Sequence, residues 1–297
     1  MIQFSKRPKD RGCEEMATAS TTWIVGSIAW DTILHFEKYP VNGKFALPYK
    51  TLERVGGSPA NTAKALATTG ISAGFVTGIG EDPLGKVLRQ SLLNSQISKL
   101  DIIKGVSQKC LVFLDETGER TIIPYGERGW HLINLNNTLL EPGDTVFLPG
   151  GSENALSDLK IAKEKGCKTI VGIQALLNPN HPGADIALGS SSDLPEEINP
   201  EDFLDRFPRI VYTRGVKGVD QYERGGVIHQ DAFPAKVIDT TGAGDAFTAG
   251  YLAGLAKGYT DGRKGLEAGA RWAALMVSLE ASVPPNWSTV PGSHNFF

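Results

Sequence analysis

The run Asp239-Thr240-Thr241-Gly242-Ala243-Gly244-Asp245-Ala246-Phe247 places two glycines and a carboxylate at the entrance to a small-residue helix. Pro234 to Ile238 ahead of it reads as extended. Ala246 to Lys257 behind it carries Phe247, Tyr251, Leu252 and Leu255 on one helical face. Asp245 is therefore expected at a strand-to-helix turn. The first N–H groups of a helix lack intrahelical acceptors and sit at the positive end of its dipole, so they can hold an anion. Gly242, Ala243 and Gly244 leave that approach open. A carboxylate is an odd choice for a site that only binds phosphate, so Asp245 suggests a base. In phosphoryl transfer such a group orients the acceptor hydroxyl and takes its proton, while backbone N–H groups stabilise the charge on the transferring group. The competing reading makes Asp245 an N-cap on a glycine-rich turn, and spacing alone leaves both open.

Three further segments carry comparable chemistry. Asp31, at the end of Gly26-Ser27-Ile28-Ala29-Trp30-Asp31, follows a strand and a Gly-Ser step. Its carboxylate is placed to hold two sugar hydroxyls at a sheet's carboxyl edge, or is a solvent-facing turn residue. Gly56-Gly57-Ser58-Pro59-Ala60-Asn61 supplies close backbone approach and a donating and accepting amide in Asn61, or a helix start with Ser58 as N-cap and Pro59 in the first turn. Thr213-Arg214-Gly215-Val216-Lys217-Gly218 follows the apolar Ile210-Val211-Tyr212 and leaves backbone groups accessible to phosphates, or is a plain hairpin turn.

The run Asp239 to Phe247 resembles the C-terminal signature of the ribokinase-like (PfkB-type) carbohydrate kinases, and the other three segments stand in that family's order and spacing over residues 23 to 280. The resemblance implies Asp245 as catalytic base and Gly242, Ala243 and Gly244 as the anion hole. It implies Asp31, Gly57 and Asn61 as acceptor contacts. Thr213, Gly215, Lys217 and Gly218, with Gly244, would line an ATP site. It also implies Mg2+, and a monovalent cation such as K+ near Asp239 and Thr241. Two departures stand out. Ala29 occupies a position where ribokinases proper carry Asn, which weakens ribose as the substrate. The family's magnesium-organising Asn-x-x-Glu corresponds to Ser190-Ser191-Ser192-Asp193, leaving Asp193 as the expected metal-side carboxylate.

Length and charge narrow the class. The chain has 297 residues, 41% of them hydrophobic, enough to bury a large core in one α/β domain. A net charge of -3 gives no basic footprint for nucleic acid or an anionic membrane, so the expected partner is a small molecule, a sugar or a nucleoside. Cys13, Cys110 and Cys167 are scattered, and His35, His131, His181, His229 and His294 have no metal-binding spacing. A reducing cytoplasm fits. Gly78-Ile79-Gly80-Glu81-Asp82-Pro83-Leu84-Gly85 lacks dinucleotide-fingerprint spacing and no GxxxxGK[ST] occurs, which disfavours NAD enzymes and P-loop kinases.

The elements expected to position these residues alternate in βα rhythm: helix 59–69, strand 73–77, helix 84–94, strand 144–148, helix 153–165, strands 168–173 and 209–213, a hairpin 218–223 with 226–230, and helices 243–257 and 261–279. The fold class is α/β, and the resemblance implies a ribokinase-like three-layer sandwich with a mainly parallel central sheet. Short extended runs at about 32–54 and 109–123, divided by Asn42-Gly43 and Glu116-Thr117-Gly118 turns, are expected to form a small β-sheet lid. Residues 1–21 are expected to be a disordered extension, with Met16 as the natural start. Residues 22–285 form the domain, and 286–297 a loose tail. Exposed lid strands invite pairing into a homodimer. Three functions remain in view: a sugar kinase, a nucleoside kinase of the same fold with Trp30 stacking on the base, and a sugar- or nucleotide-binding protein with lost catalysis.

Overall fold

The computed structural model describes residues 20–115, 120–127, 129, 132–150, 154–259 and 261–296. Met16, Cys13, His131 and the Glu116-Thr117-Gly118 turn lie outside them. Thirteen strands and five α-helices run β1 (Thr22–Val25), β2 (Ala29–His35), β3 (Lys50–Gly56), α1 (Ser58–Ala67), β4 (Ala73–Ile79), α2 (Pro83–Leu93), β5 (Lys99–Lys104), β6 (Gln108–Leu114), β7 (Arg120–Tyr125), β8 (Thr145–Leu148), α3 (Ala155–Glu164), β9 (Lys168–Gly172), β10 (Ile186–Ser190), β11 (Arg209–Thr213), β12 (Val219–Glu223), β13 (Gly226–Gln230), α4 (Ala243–Ala256) and α5 (Arg263–Met276) among the described residues.

Nine strands form the central sheet in the order β13-β12-β11-β10-β9-β8-β1-β4-β5, parallel from β11 to β5 with β12 antiparallel to its neighbours. β1 and β4 are buried along their whole length, as strands covered on both faces must be. Alternation divides β1 between two cores. Ile24 packs with residues of α1, α2, α4 and α5; Trp23 and Val25 pack with Leu159 and Ala162 of α3 on the other face. The result is three layers. α4 is buried over most of its length and is covered by α5, where Gly250 faces Gly269 so closely that an added Cβ would lie 2.7 Å from the Gly269 nitrogen.

The chain leaves β1 toward β4 on one side, while β8 pairs on the other and continues to β9, β10 and β11. The strand order thus reverses at β1 and β8, and the crevice outside the carboxyl ends of such strands is where open α/β sheets bind ligands. A separate four-stranded sheet, β3-β2-β6-β7, rises from that end: β2 pairs antiparallel with β3 and parallel with β6, and β6 antiparallel with β7. Lys50 of β3 bonds Glu280, past the end of α5, at 2.7 Å, tying this sheet to the core.

Several expectations are corrected. Pro234 to Ile238 forms no strand, because the Ile238 N–H bonds the Val277 carbonyl instead of a strand neighbour. β5 and β10 were not anticipated, and residues 44–49 belong to the loop before β3. Within the expected disordered stretch, residues 1–19 lie outside the described residues, but Thr21 is buried with its N–H on Asp144 at 2.7 Å. The stretch 286–296 is no loose tail. Trp287, Val290 and Phe296 are buried in the core, because their apolar spacing lets two short 3-10 turns fold them against Trp272.

Candidate active site

α4 begins at the signature. Gly242 is its N-cap with φ 78°, and a side chain there would be strained and would run into the Ser282 carbonyl, 2.4 Å from an added Cβ. Ala243, Gly244 and Asp245 are its first three helical residues. Asp245 is therefore the third residue inside the helix and not its N-cap, which removes the capping alternative. An added Cβ at Gly244 would meet nothing within 4 Å, so this glycine borders open space above the first-turn N–H groups.

Asp245 is held from α1. Its carboxylate accepts hydrogen bonds from the Ser58 hydroxyl and, at 3.1 Å, from Asn61 Nδ2. Asn61 Nδ2 also donates to the Ser282 carbonyl at 3.2 Å, while its buried Oδ1 has no partner. The alternative that made Ser58 the N-cap of α1 does not hold: Gly57 takes that place, with φ 97° and an added Cβ only 2.8 Å from the Ser27 carbonyl. That frees the Ser58 hydroxyl for Asp245; Pro59 takes the first turn as expected. Burial pushes the Asp245 carboxyl up to about 6, against the bonds from Ser58 and Asn61 and the charge of Arg120, with a smaller push upward from Asp31.

Asp31 reaches the same region from β2. Its carboxylate lies over Gly56, where an added Cβ would collide with the carboxylate oxygen. Burial raises Asp31 to about 6, opposed by Arg54. Alternation along β2 turns Trp30 to the opposite face from Asp31, so Trp30 does not line this cleft and the expected stacking role fails.

The proposed nucleotide loop sits at the end of β11. Thr213 Oγ1 bonds the Gly189 carbonyl at 3.2 Å, and the turn is closed by Arg214 N–H on the Gly218 carbonyl at 2.8 Å. Gly218 has φ 82° and packs against the Gln230 carbonyl; Gly215 and Lys217 are exposed. Arg214 is drawn to buried Asp220 of β12 at 2.6 Å, which also accepts from His229. Ser190 pairs with Thr213 across β10 and β11, so the turn Ser191–Asp193 stands beside this loop. Asp193 is exposed, with one carboxylate oxygen on the Ser190 N–H at 3.2 Å. Asp239 accepts the Thr241 N–H at 2.8 Å. No group of three or more His, Cys, Asp or Glu placed to hold a metal ion occurs among the described residues.

Direct contact thus joins Asp245, Ser58 and Asn61; Asp31 lies within electrostatic reach of Asp245; the nucleotide loop and Asp193 are neighbours on adjacent strands. Sequence reasoning missed the Ser58 and Ser282 contacts and the lid arginines Arg54 and Arg120. The only available signal was the alternation of β3, which does not reveal its partner.

The model of the pfkB family carbohydrate kinases matches residues 24–155 and 147–288. A fructokinase of Klebsiella pneumoniae is 28% identical over 248 residues, covering 70% of this chain and 78% of its own. A nucleoside kinase of Methanocaldococcus jannaschii is 26% identical over 90% of this chain and 94% of its own. The structure of Arabidopsis thaliana ribokinase complexed with ribose and ATP superposes with a TM-score of 0.71 at 22% identity, covering 94% of this chain and all of that one, a likeness of fold.

Proposed function

The chain belongs to the pfkB family carbohydrate kinases, and from that premise we propose that it transfers the γ-phosphoryl group of ATP to a hydroxymethyl group on a sugar or sugar-like acceptor. The observation that carries this reading is Asp245. Its carboxylate is fixed by Ser58 and Asn61 in the first turn of α4, next to the open face at Gly244. The acceptor oxygen attacks the γ-phosphorus, its proton passes to the Asp245 carboxylate, and the bond to ADP breaks. First-turn N–H groups at Gly242, Ala243 and Gly244 stabilise the charge on the transferring oxygens. A carboxyl raised to about 6 is still ionised at neutral pH and is a stronger base than an ordinary aspartate.

Asp31, Gly57 and Asn61 hold the acceptor in this reading. Thr213, Gly215, Lys217, Gly218 and Gly244 line the ATP site. Asp193 fits a magnesium ion held mainly by water and phosphate oxygens, since it is exposed beside the nucleotide loop. When bound, that ion neutralises phosphate charge. A monovalent cation at Asp239 and Thr241 would order the turn before Gly242, and no step depends on it. The exposed side chains Phe45, Leu47 and Tyr49 of the loop before β3, with Ile122 of β7, support a homodimer through the lid. A nucleoside acceptor is the second reading, favoured by the M. jannaschii relative.

Asp245→Asn tests the assignment. Turnover, measured as ADP release over a panel of sugars and nucleosides, is expected to fall by about three orders of magnitude or more, with ATP affinity and melting behaviour retained. Near-normal turnover in that variant would sink it.

A further inference from the structure

Arg54 on β3 stands directly opposite Asp31 on β2, so both side chains leave the lid on the same face. The same register puts His35, Lys50 and Arg120 on that face. Two of the basic groups are already engaged or neutral. Lys50 is paired with Glu280 at 2.7 Å, and the His35 ring is held below its ordinary value by burial and by Lys50, so it carries no charge at neutral pH.

Arg54 is different. It is half-buried, its Nε is enclosed without a hydrogen-bond partner, and it makes no ion pair among the described residues. Arg54 feels the charges of Asp31, Asp239 and Arg120, and Arg120 in turn acts on Asp245, so the two guanidinium groups face the same region. If Arg54 only neutralised Asp31, the two would form an ion pair. None joins them among the described residues, and Asp31 stays raised by burial despite the nearby charge. An enclosed N–H without an acceptor is costly, and a guanidinium is the group best matched to a carboxylate or phosphate. A neutral sugar offers it hydroxyl acceptors but no opposite charge.

We propose that the acceptor carries an anionic group, a carboxylate or a phosphate, in addition to the hydroxyl that is phosphorylated, and that Arg54, with Arg120 beside it, recognises that group. This rests on the kinase reading above and narrows its substrate class.

The test uses pairs that differ in charge: fructose against fructose 1-phosphate, and ribose against ribose 1-phosphate, with 2-keto-3-deoxygluconate as the carboxylate arm. ADP release gives kcat/KM, and thermal stabilisation without ATP gives binding independently of catalysis. An anionic acceptor is expected to exceed its neutral partner or the neutral sugars at least about 10-fold in kcat/KM. Arg54→Gln should collapse that ratio by about 10- to 100-fold, and Arg54→Lys should retain part of it. The phosphate and carboxylate arms decide which anion is meant. Equal or better use of neutral acceptors, with a ratio indifferent to Arg54→Gln, overturns the proposal and leaves the kinase reading intact. Arg54-dependent stabilisation by an anionic acceptor without ADP release supports the proposal while the kinase reading fails. Neither turnover nor stabilisation with any anionic acceptor overturns the proposal.

Discussion

Asp245 and Asp31 lie within electrostatic reach of each other, and burial lifts both carboxyls to about 6. A base works only when ionised, so kcat/KM is expected to rise through a midpoint near 6 and level off above it, roughly two units higher than an ordinary carboxylate would give. Stability moves the other way. Native carboxyls with raised values bind protons that the unfolded chain has released, so their contribution is present at about pH 4 and is lost as pH rises through 6. A pH–rate profile over about pH 4.5 to 8 checks the first claim; a limb centred below about 5 would show that Asp245 is not the titrating base. The two signature glycines separate binding from folding at the same scale. Gly244 borders open space, so Gly244→Ala should leave the melting temperature nearly unchanged while cutting turnover by about 10-fold or more, as the methyl enters the anion's approach. Gly242→Ala should cost about 1–3 kcal/mol of stability, because φ is 78° and the methyl meets the Ser282 carbonyl. Matched melts and kinetics of the two variants distinguish these roles.

At the scale of elements, the nucleotide loop is positioned by what lies behind it. Asp220, buried on β12, accepts from Arg214 at 2.6 Å and from His229 on β13, and so ties the loop to the strand pair that follows. Asp220→Asn keeps the shape but removes the charge that both partners face. The KM for ATP is expected to rise about 10-fold with the acceptor KM unchanged, measured by varying each substrate at saturation of the other. A parallel rise in both would point to loosening of the whole fold and against a loop-specific role. The same loop shows what was legible in the chain. β11 and the β12–β13 hairpin announce themselves through an apolar run and a Gly225-Gly226 turn, and Thr213 to Gly218 keeps all its chemistry within six consecutive positions. β5 and β10 escaped because Lys99–Lys104 mixes charge into an edge strand and Ile186–Ser190 ends in small polar residues. The Ser58 bond to Asp245 and the Arg54–Asp31 pairing join positions 187 and 23 residues apart, and local pattern carries no register information of that kind.

The whole molecule extends this lesson to its end. Pro284-Pro285 and the short polar runs after it read as a tail, yet the Trp287 ring lies tilted 5.0 Å from Trp272 and meets Phe296 edge-on at 5.9 Å, measured between ring centroids. The Trp272 indole N–H bonds the Pro285 carbonyl at 3.0 Å, and the Trp287 N–H bonds Thr68 Oγ1 at 2.9 Å. Thr68 is the C-cap of α1, whose opposite end supplies Ser58 and Asn61 to Asp245. The segment before it contributes too, since the Ser282 carbonyl accepts from Asn61. The C-terminal residues therefore clamp the helix that orients the proposed base. Trp287→Ala removes a large buried ring, 5% exposed, from between Trp272 and Phe296, and is expected to cost about 3–5 kcal/mol in denaturant unfolding. Because the clamp acts through α1, turnover per folded molecule should also fall by several-fold under conditions where the variant remains folded. A loss below about 1 kcal/mol, in the range of an exposed position, would return these residues to the status of a tail.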